Sequence, residues 1–230
     1  MIKVTDSTVF NTDAECIVNT INCVGFMGRG IALEFALRYP KLEEQYIVEC
    51  RKNLIHTGRV YFYNIDGQKI INFPTKFHFK YPSQIEWIEQ GLQFFVENYK
   101  KWNIKSIAFP ILGSLNGGLD GKVVEGLMKQ YLSNVDIDVY ICHSRLVEGK
   151  ELEMIESFKN TSVEGIKKHI RLTSKQFIAL ESHQKQIKRF SEILEIDGIG
   201  LDTYKSIFRL FYNNNGPIVE QISLFDTHID

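Results

Sequence analysis

The chain has 230 residues, a length that suits one α/β domain or a domain carrying a smaller appendage. Hydrophobic residues make up 44% and charged residues 24%, which argues against disordered, collagen-like and disulfide-scaffold chains. The 27 Lys+Arg against 28 Asp+Glu exclude a surface coated throughout in phosphate-binding cations and leave room for a local basic face.

No run approaches the roughly 18 to 20 consecutive apolar residues of a membrane span, and the opening stretch has no signal-peptide apolar segment. The expectation is a cytoplasmic protein without a membrane partner. Cys16, Cys23, Cys50 and Cys142 form no C-x-x-C pair and have no histidine at zinc-ligand spacing. Reduced thiols, no metal and no cofactor are expected.

Runs rich in Ile, Val, Phe and Tyr predict strands at residues 2–5, 14–20, 59–64, 69–73, 106–111 and 138–142. Apolar residues at three- and four-residue spacing predict helices at 31–38, 41–52, 83–101 and 122–133. Ser83 with Glu86 resembles a capping box opening the third helix. This alternation implies an α/β fold, a largely parallel or mixed sheet with helices on both faces. Near residues 145–150 the pattern changes to helical periodicity without a convincing strand. The expected domains are 1–147 and a helical region, 148–230.

The most informative segment is V-N-T-I-N-C-V-G-F-M-G-R-G-I-A, beginning at Val18. A buried strand runs there into a glycine-rich loop and then a helix, a junction that presents backbone N–H groups and a positive dipole end to an anion. Gly25, Gly28 and Gly30 allow close backbone approach. Their G-x-x-G-x-G spacing is neither the Rossmann fingerprint nor a P-loop. A second loop, Gly113-Ser-Leu-Asn-Gly-Gly-Leu-Asp120, follows the strand at 106–111 and precedes another helix. Two such loops can clamp a diphosphate. Between them, I-N-F-P-T-K leaves Lys76 at the carboxyl end of a strand, the edge where open α/β sheets bind ligands.

These three motifs, in this order over the first two-thirds of the chain, resemble the macrodomain family. Within it they resemble the branch of ADP-ribosyl glycohydrolases that includes the DNA-directed antitoxins of toxin–antitoxin pairs. The resemblance implies a three-layer α/β/α macrodomain with a mixed central sheet. It also implies a hydrolase that removes ADP-ribose from modified DNA or from protein acidic residues. It implies that Asn22 orients the distal ribose, that Lys76 is catalytic, and that Asp120 serves as general acid or base, although a helix N-cap is an equally natural task for an aspartate there. A lysine that loses its charge through burial could attack the anomeric carbon, and one that keeps it could stabilise the leaving group.

The same resemblance places ADP-ribose against Asp6, Asn22, Gly25, Met27, Gly28, Gly30, Ile31 and Thr75 on one side. On the other stand Gly113, Ser114, Leu115, Asn116, Gly117, Gly118 and Leu119. Phe77 and His78 either wall the ribose pocket or pack on the next loop. The branch usually has G-C-G early in the second loop, where this chain has Gly113-Ser114-Leu115. That departure leaves open a non-catalytic ADP-ribose-binding module that recruits or blocks a partner.

Residues 165–190 carry Lys167, Lys168, Arg171, Lys175, Lys185, Lys188 and Arg189 against Glu181 alone. Such a run is either a solvated face or a phosphate-contacting surface. The segment after Leu194 resembles a helix–hairpin–helix with Gly198-Ile-Gly200 as its turn, which implies DNA as a partner. An ADP-ribosyltransferase toxin is the further partner implied by the antitoxin resemblance. The tail Gln221-Ile-Ser-Leu-Phe225 resembles a sliding-clamp-binding peptide, and the polar residues 213–216 before it would serve as a tether.

Overall fold

The computed structural model describes residues 1–214, so the Gln221–Phe225 peptide and the second half of its expected tether, residues 215 and 216, lie outside the described residues. The described residues fall into two compact units, Met1–Leu146 and a second that begins at Val147.

The first unit contains β1 (Ile2–Thr5), β2 (Cys16–Ile21), β3 (Tyr61–Ile65), β4 (Gln68–Pro74), β5 (Ser106–Pro110) and β6 (Asp138–Cys142). They form one mixed sheet in the order β1-β6-β5-β2-β4-β3. Every pairing is parallel except the antiparallel β3–β4 hairpin. Asp66 and Gly67 both adopt positive φ in its two-residue turn, the conformation that matches the twist of the strands it joins.

Helices α1 (Gly30–Arg38) and α2 (Pro40–Arg51) pack on one face, and α3 (Ile85–Asn98) and α4 (Gly121–Leu132) on the other. The alternation of strand side chains separates two cores. Val18, Ile71, Phe73, Ile107 and Phe109 meet Ile88, Leu92, Phe95 and Met128. Ile17, Ile70 and Ala108 meet Phe35 and Leu42 on the opposite face.

The expected strand at 14–20 begins at Cys16, and the one at 59–64 begins at Tyr61. The expected capping box does not form. Gln84 is the N-cap of α3 without a side-chain cap, because the Ser83 N–H is already donated to the Gly117 carbonyl (2.9 Å). The Ser83 hydroxyl is buried without a hydrogen-bond partner. The expected helix at 83–101 is α3 followed by a 3-10 turn over Tyr99–Trp102.

In the second unit, the helices are α5 (Gly149–Asn160), α6 (Val163–His169), α7 (Ser174–His183) and α8 (Leu201–Asn213). Phe158, Phe190, Phe208 and Phe211 form an edge-to-face cluster at its centre. Thr173 and Gln176 make a reciprocal capping box on α7. Gly198 has φ +89° and Gly200 caps α8, with Ile199 buried between them. The basic run is partly neutralised: Lys175 pairs with Asp197 (2.9 Å), Arg189 with Glu151 (2.8 Å) and Lys167 with Glu164 (3.5 Å). The acids that meet Lys175 and Arg189 come from other elements, which a contiguous window does not see.

No helix among the described residues is long and apolar enough to cross a membrane.

Candidate functional site

In a parallel sheet all carboxyl ends lie on one edge. Here that edge gathers the segments that follow β1 (Asp6), β2 (residues 22–29), β4 (residues 75–84) and β5 (residues 111–120). Adjacent strands β2 and β5 feed α1 and α4 on opposite faces of the sheet. Their diverging connections open a crevice at this switch point.

The first loop is shaped by Asn22. Its buried Oδ1 accepts from Val24 N (2.9 Å) and its Nδ2 donates to the Phe26 carbonyl (2.6 Å). Tyr46 supports it from α2. The buried phenol hydroxyl lies 2.8 Å from the Asn22 carbonyl and 3.0 Å from Oδ1, and it accepts from Gly25 N (3.2 Å). With these bonds in place the Gly28 and Arg29 N–H groups, just ahead of α1, make no hydrogen bond within the described residues.

Lys76 follows the end of β4, where the buried Thr75 N–H continues the ladder to Ile21 O (3.0 Å). The Lys76 backbone is tied to the first loop as well: its carbonyl accepts from the Cys23 thiol (3.7 Å). Burial pushes that thiol up to about 11, so it remains a donor. The next residue's carbonyl, of Phe77, accepts from Cys23 N (2.9 Å). At its tip the buried lysine donates from Nζ to the Asn116 carbonyl of the second loop (2.6 Å). Desolvation holds its ammonium below the usual lysine range.

The second loop is a tight turn held by Leu119 N to Gly113 O (3.1 Å) and Ser83 N to Gly117 O (2.9 Å). A Cβ at Gly117 would overlap the Gly113 carbonyl oxygen and Ser83 Oγ, so only glycine fits. Gly30, at φ +56°, sits under the Asn116 side chain, whose Nδ2 would be 2.5 Å from a Cβ there. The two glycine loops therefore meet at Gly30 and Asn116. The N–H groups of Leu115, Asn116 and Gly117 make no hydrogen bond within the described residues, a concavity suited to phosphate oxygens.

The other expected site residues take up varied places. Asp120 is the N-cap of α4, and its Oδ1 accepts from Lys122 N (2.8 Å) and Val123 N (3.1 Å). Asp6 is exposed and paired with Arg145 (3.1 Å). Met27 turns its side chain into the core beneath the first loop. Ile31 and Leu119 pack partly buried on opposite faces of the sheet. Ser114 donates to Ile111 O (3.0 Å). Leu115 is 86% exposed, so the residue that departs from the family pattern projects into solvent. Gly118 has φ +77° with open space around it.

The family model for the Macro domain matches residues 18–128, which run from β2 through both glycine loops into α4. The macrodomain of Mycobacterium tuberculosis DarG is 37% identical with a TM-score of 0.60, over 62% of this chain and 97% of that one. The chain belongs to the macrodomain family. Thermosipho africanus DarTG in complex with ADP-ribose is 30% identical with a TM-score of 0.58, over 64% of this macrodomain chain and 43% of that one. A Mycobacterium tuberculosis protein named DNA ADP-ribosyl glycohydrolase is 40% identical over 160 residues, 66% of this chain and 46% of the relative. This macrodomain chain thus spans about half the length of the curated relatives it matches.

Tyr46 and Ser83 complete the site, and neither was expected from sequence to belong to it. Tyr46 lies at a buried helical position, where a tyrosine reads as core, and the Ser83 pattern pointed to a cap.

Proposed function

We propose that this macrodomain removes ADP-ribose from modified DNA, with Lys76, Asp120 and Asn22 as the groups that carry the reaction. The observation that carries the reading is the buried Lys76 amine, its pKa lowered by desolvation and its tip placed between two loops whose unbonded N–H groups suit a diphosphate. The likeness to proteins named DNA ADP-ribosyl glycohydrolase supports DNA as the substrate, and the complex of Thermosipho africanus DarTG with ADP-ribose supports the ligand.

On this reading ADP-ribose lies with its diphosphate on the N–H groups of both glycine loops and with its distal ribose toward Asn22 and Lys76. Asn22 places the first loop through the bonds it makes to Val24 and Phe26, and one Nδ2 hydrogen remains for a ribose hydroxyl. Lys76 Nζ, deprotonated, attacks the ribose anomeric carbon. The new C–N bond forms as the bond to the base breaks, and the leaving base takes a proton. Water then cleaves the lysine adduct and regenerates the amine. The Asp120 Oδ2, which makes no hydrogen bond in the α4 cap, is the group that exchanges protons in these steps.

A reaction that consumes ADP-ribosylated DNA requires an ADP-ribosyltransferase to make it, and such an enzyme is the partner an antitoxin role implies. Single-turnover release of ADP-ribose from a modified oligonucleotide, run beside a glutamate-modified protein, tests the substrate. Faster release from the oligonucleotide is expected. Release from the protein alone would reassign the substrate, and binding of ADP-ribose without release from either would make the chain a reader.

A further inference from the structure

A strand at the edge of a sheet offers unpaired backbone groups to any other chain, and proteins blunt such edges with charge, proline, bulges or a covering element. The sheet has two edges, β1 and β3. β1 carries Lys3, whereas β3 reads Tyr-Phe-Tyr-Asn-Ile, without a charge or a proline. In a hairpin closed by a two-residue turn, the residues beside the turn exchange both of their bonds. Ile65, Tyr63 and Tyr61 therefore commit their backbone groups to Gln68, Ile70 and Asn72. The N–H and C=O groups of Phe62 and Asn64 point the other way, to an edge along which no strand lies among the described residues.

This edge is the floor of a groove of about 530 Å³. Gln45 and Glu49 of α2 stand on one side of it, and Phe94 and Asn98 of α3 with Lys101 and Trp102 on the other. The α3 side is aromatic, and Trp102 stacks there on Phe62 at 5.6 Å. The two sides carry opposite charges, each bonded to neutral groups. Glu49 accepts from the Tyr63 phenol and from Gln45 Nε2 (3.0 Å), and Lys101 donates to Asn98 Oδ1 (2.7 Å). Side chains of a strand alternate between the faces of its sheet, so a segment lying along β3 turns successive residues toward Lys101 and toward Glu49.

We propose that the β3 edge docks an extended segment of a partner protein, which adds to the sheet as a further strand. Its backbone bonds to Phe62 and Asn64, with apolar side chains and one acidic side chain on the Lys101 side and a basic side chain at a neighbouring position on the Glu49 side. Strand addition of this kind takes affinity from main-chain bonds and specificity from alternate side chains. A second copy of this chain suits the groove less well. It brings its own α2 and α3 along with its β3, and antiparallel pairing of two β3 edges sets Glu49 against Glu49 and Lys101 against Lys101. The docking surface shares no residue with the two glycine loops.

The test is a titration of the 15N-labelled full chain, followed at the Phe62 and Asn64 amide resonances, with the capped peptide Val-Thr-Val-Lys-Glu-Thr-Val-Thr and with a second peptide in which its glutamate is lysine. Wild type should prefer the first peptide by at least about twofold, the scale of an exposed ion pair. Lys101→Glu should reverse the order, and Lys101→Arg should behave as wild type. N-methylation of one backbone nitrogen in the set that faces β3 should weaken binding about fivefold or more, the scale of one hydrogen bond. The same change in the alternate set should leave it within about twofold. Failure of wild type to bind the first peptide, shifts that bypass Phe62 and Asn64, a peptide preference that ignores the sign of the charge at residue 101, or equal losses from both N-methylations overturns the proposal. Concentration-dependent shifts of the same amides without peptide would assign the edge to a second copy and overturn it as well.

Discussion

Replacing Gly117 by alanine tests whether the second loop is built for its ligand before the ligand arrives. Its φ lies outside the left-handed region that would itself penalise a side chain, so the whole cost is steric. The new methyl group would overlap Gly113 O and Ser83 Oγ. The loop can make room only by giving up Ser83 N to Gly117 O and Leu119 N to Gly113 O. Two hydrogen bonds at about 1 kcal/mol each amount to roughly 2 kcal/mol, which corresponds to about 30-fold in affinity if binding must rebuild the loop. Gly118→Ala is the control. It has open space around it and a φ of +77°, so it pays only a left-handed backbone of about 1–2 kcal/mol. Calorimetric titration with ADP-ribose should show the larger loss for Gly117→Ala. Affinity within twofold of wild type for that variant, or a larger loss for Gly118→Ala, would refute the reasoning.

Asp120→Asn keeps an N-cap of equal quality and removes the acid, so thermal stability should stay within a few degrees while release of ADP-ribose slows by about 10²-fold or more. Unchanged release would leave Asp120 as a cap and nothing else. The pH dependence follows from Lys76. Burial lowers its folded pKa, so the neutral amine accumulates earlier than in a free lysine, and release should rise with pH and level off below about 10.4. Across the window between the folded and unfolded values the unfolded chain binds more protons, so this group makes folding more favourable as pH rises. A rate that falls on the alkaline side of neutrality would instead assign a charged ammonium to the step.

Over residues 138–142, where Val139 and Ile141 are buried and Asp138 is exposed, the expected strand and the observed one coincide, because period-two runs of β-branched and aromatic side chains have few other ways to be buried. The glycine loops were legible for a related reason: strand, glycines and helix in succession leave backbone N–H groups exposed whatever lies around them. Ser83 shows where such reading stops. Serine followed three residues later by glutamate is the same pattern whether or not the serine is needed elsewhere, and here its N–H holds Gly117, a contact between residues 34 positions apart in sequence.

Charge and aromatic placement failed to show for a similar cause. The pairing of Lys175 with Asp197 and of Arg189 with Glu151 joins separate elements. The exposure of Phe79 and Tyr81 runs against the ordinary preference of their residue types, so nothing local announces it. The second loop's grip on Lys76 is likewise a product of the sheet edge that brings the loops together.

Lys76 carries the account, and the most direct measurement is single-turnover release of ADP-ribose from an ADP-ribosylated oligonucleotide by wild type and Lys76→Ala, each first shown to bind ADP-ribose. The account predicts release by wild type and a rate lower by about 10²-fold or more for the variant. Equal release by both proteins would contradict it and move the chemistry away from the lysine at the end of β4.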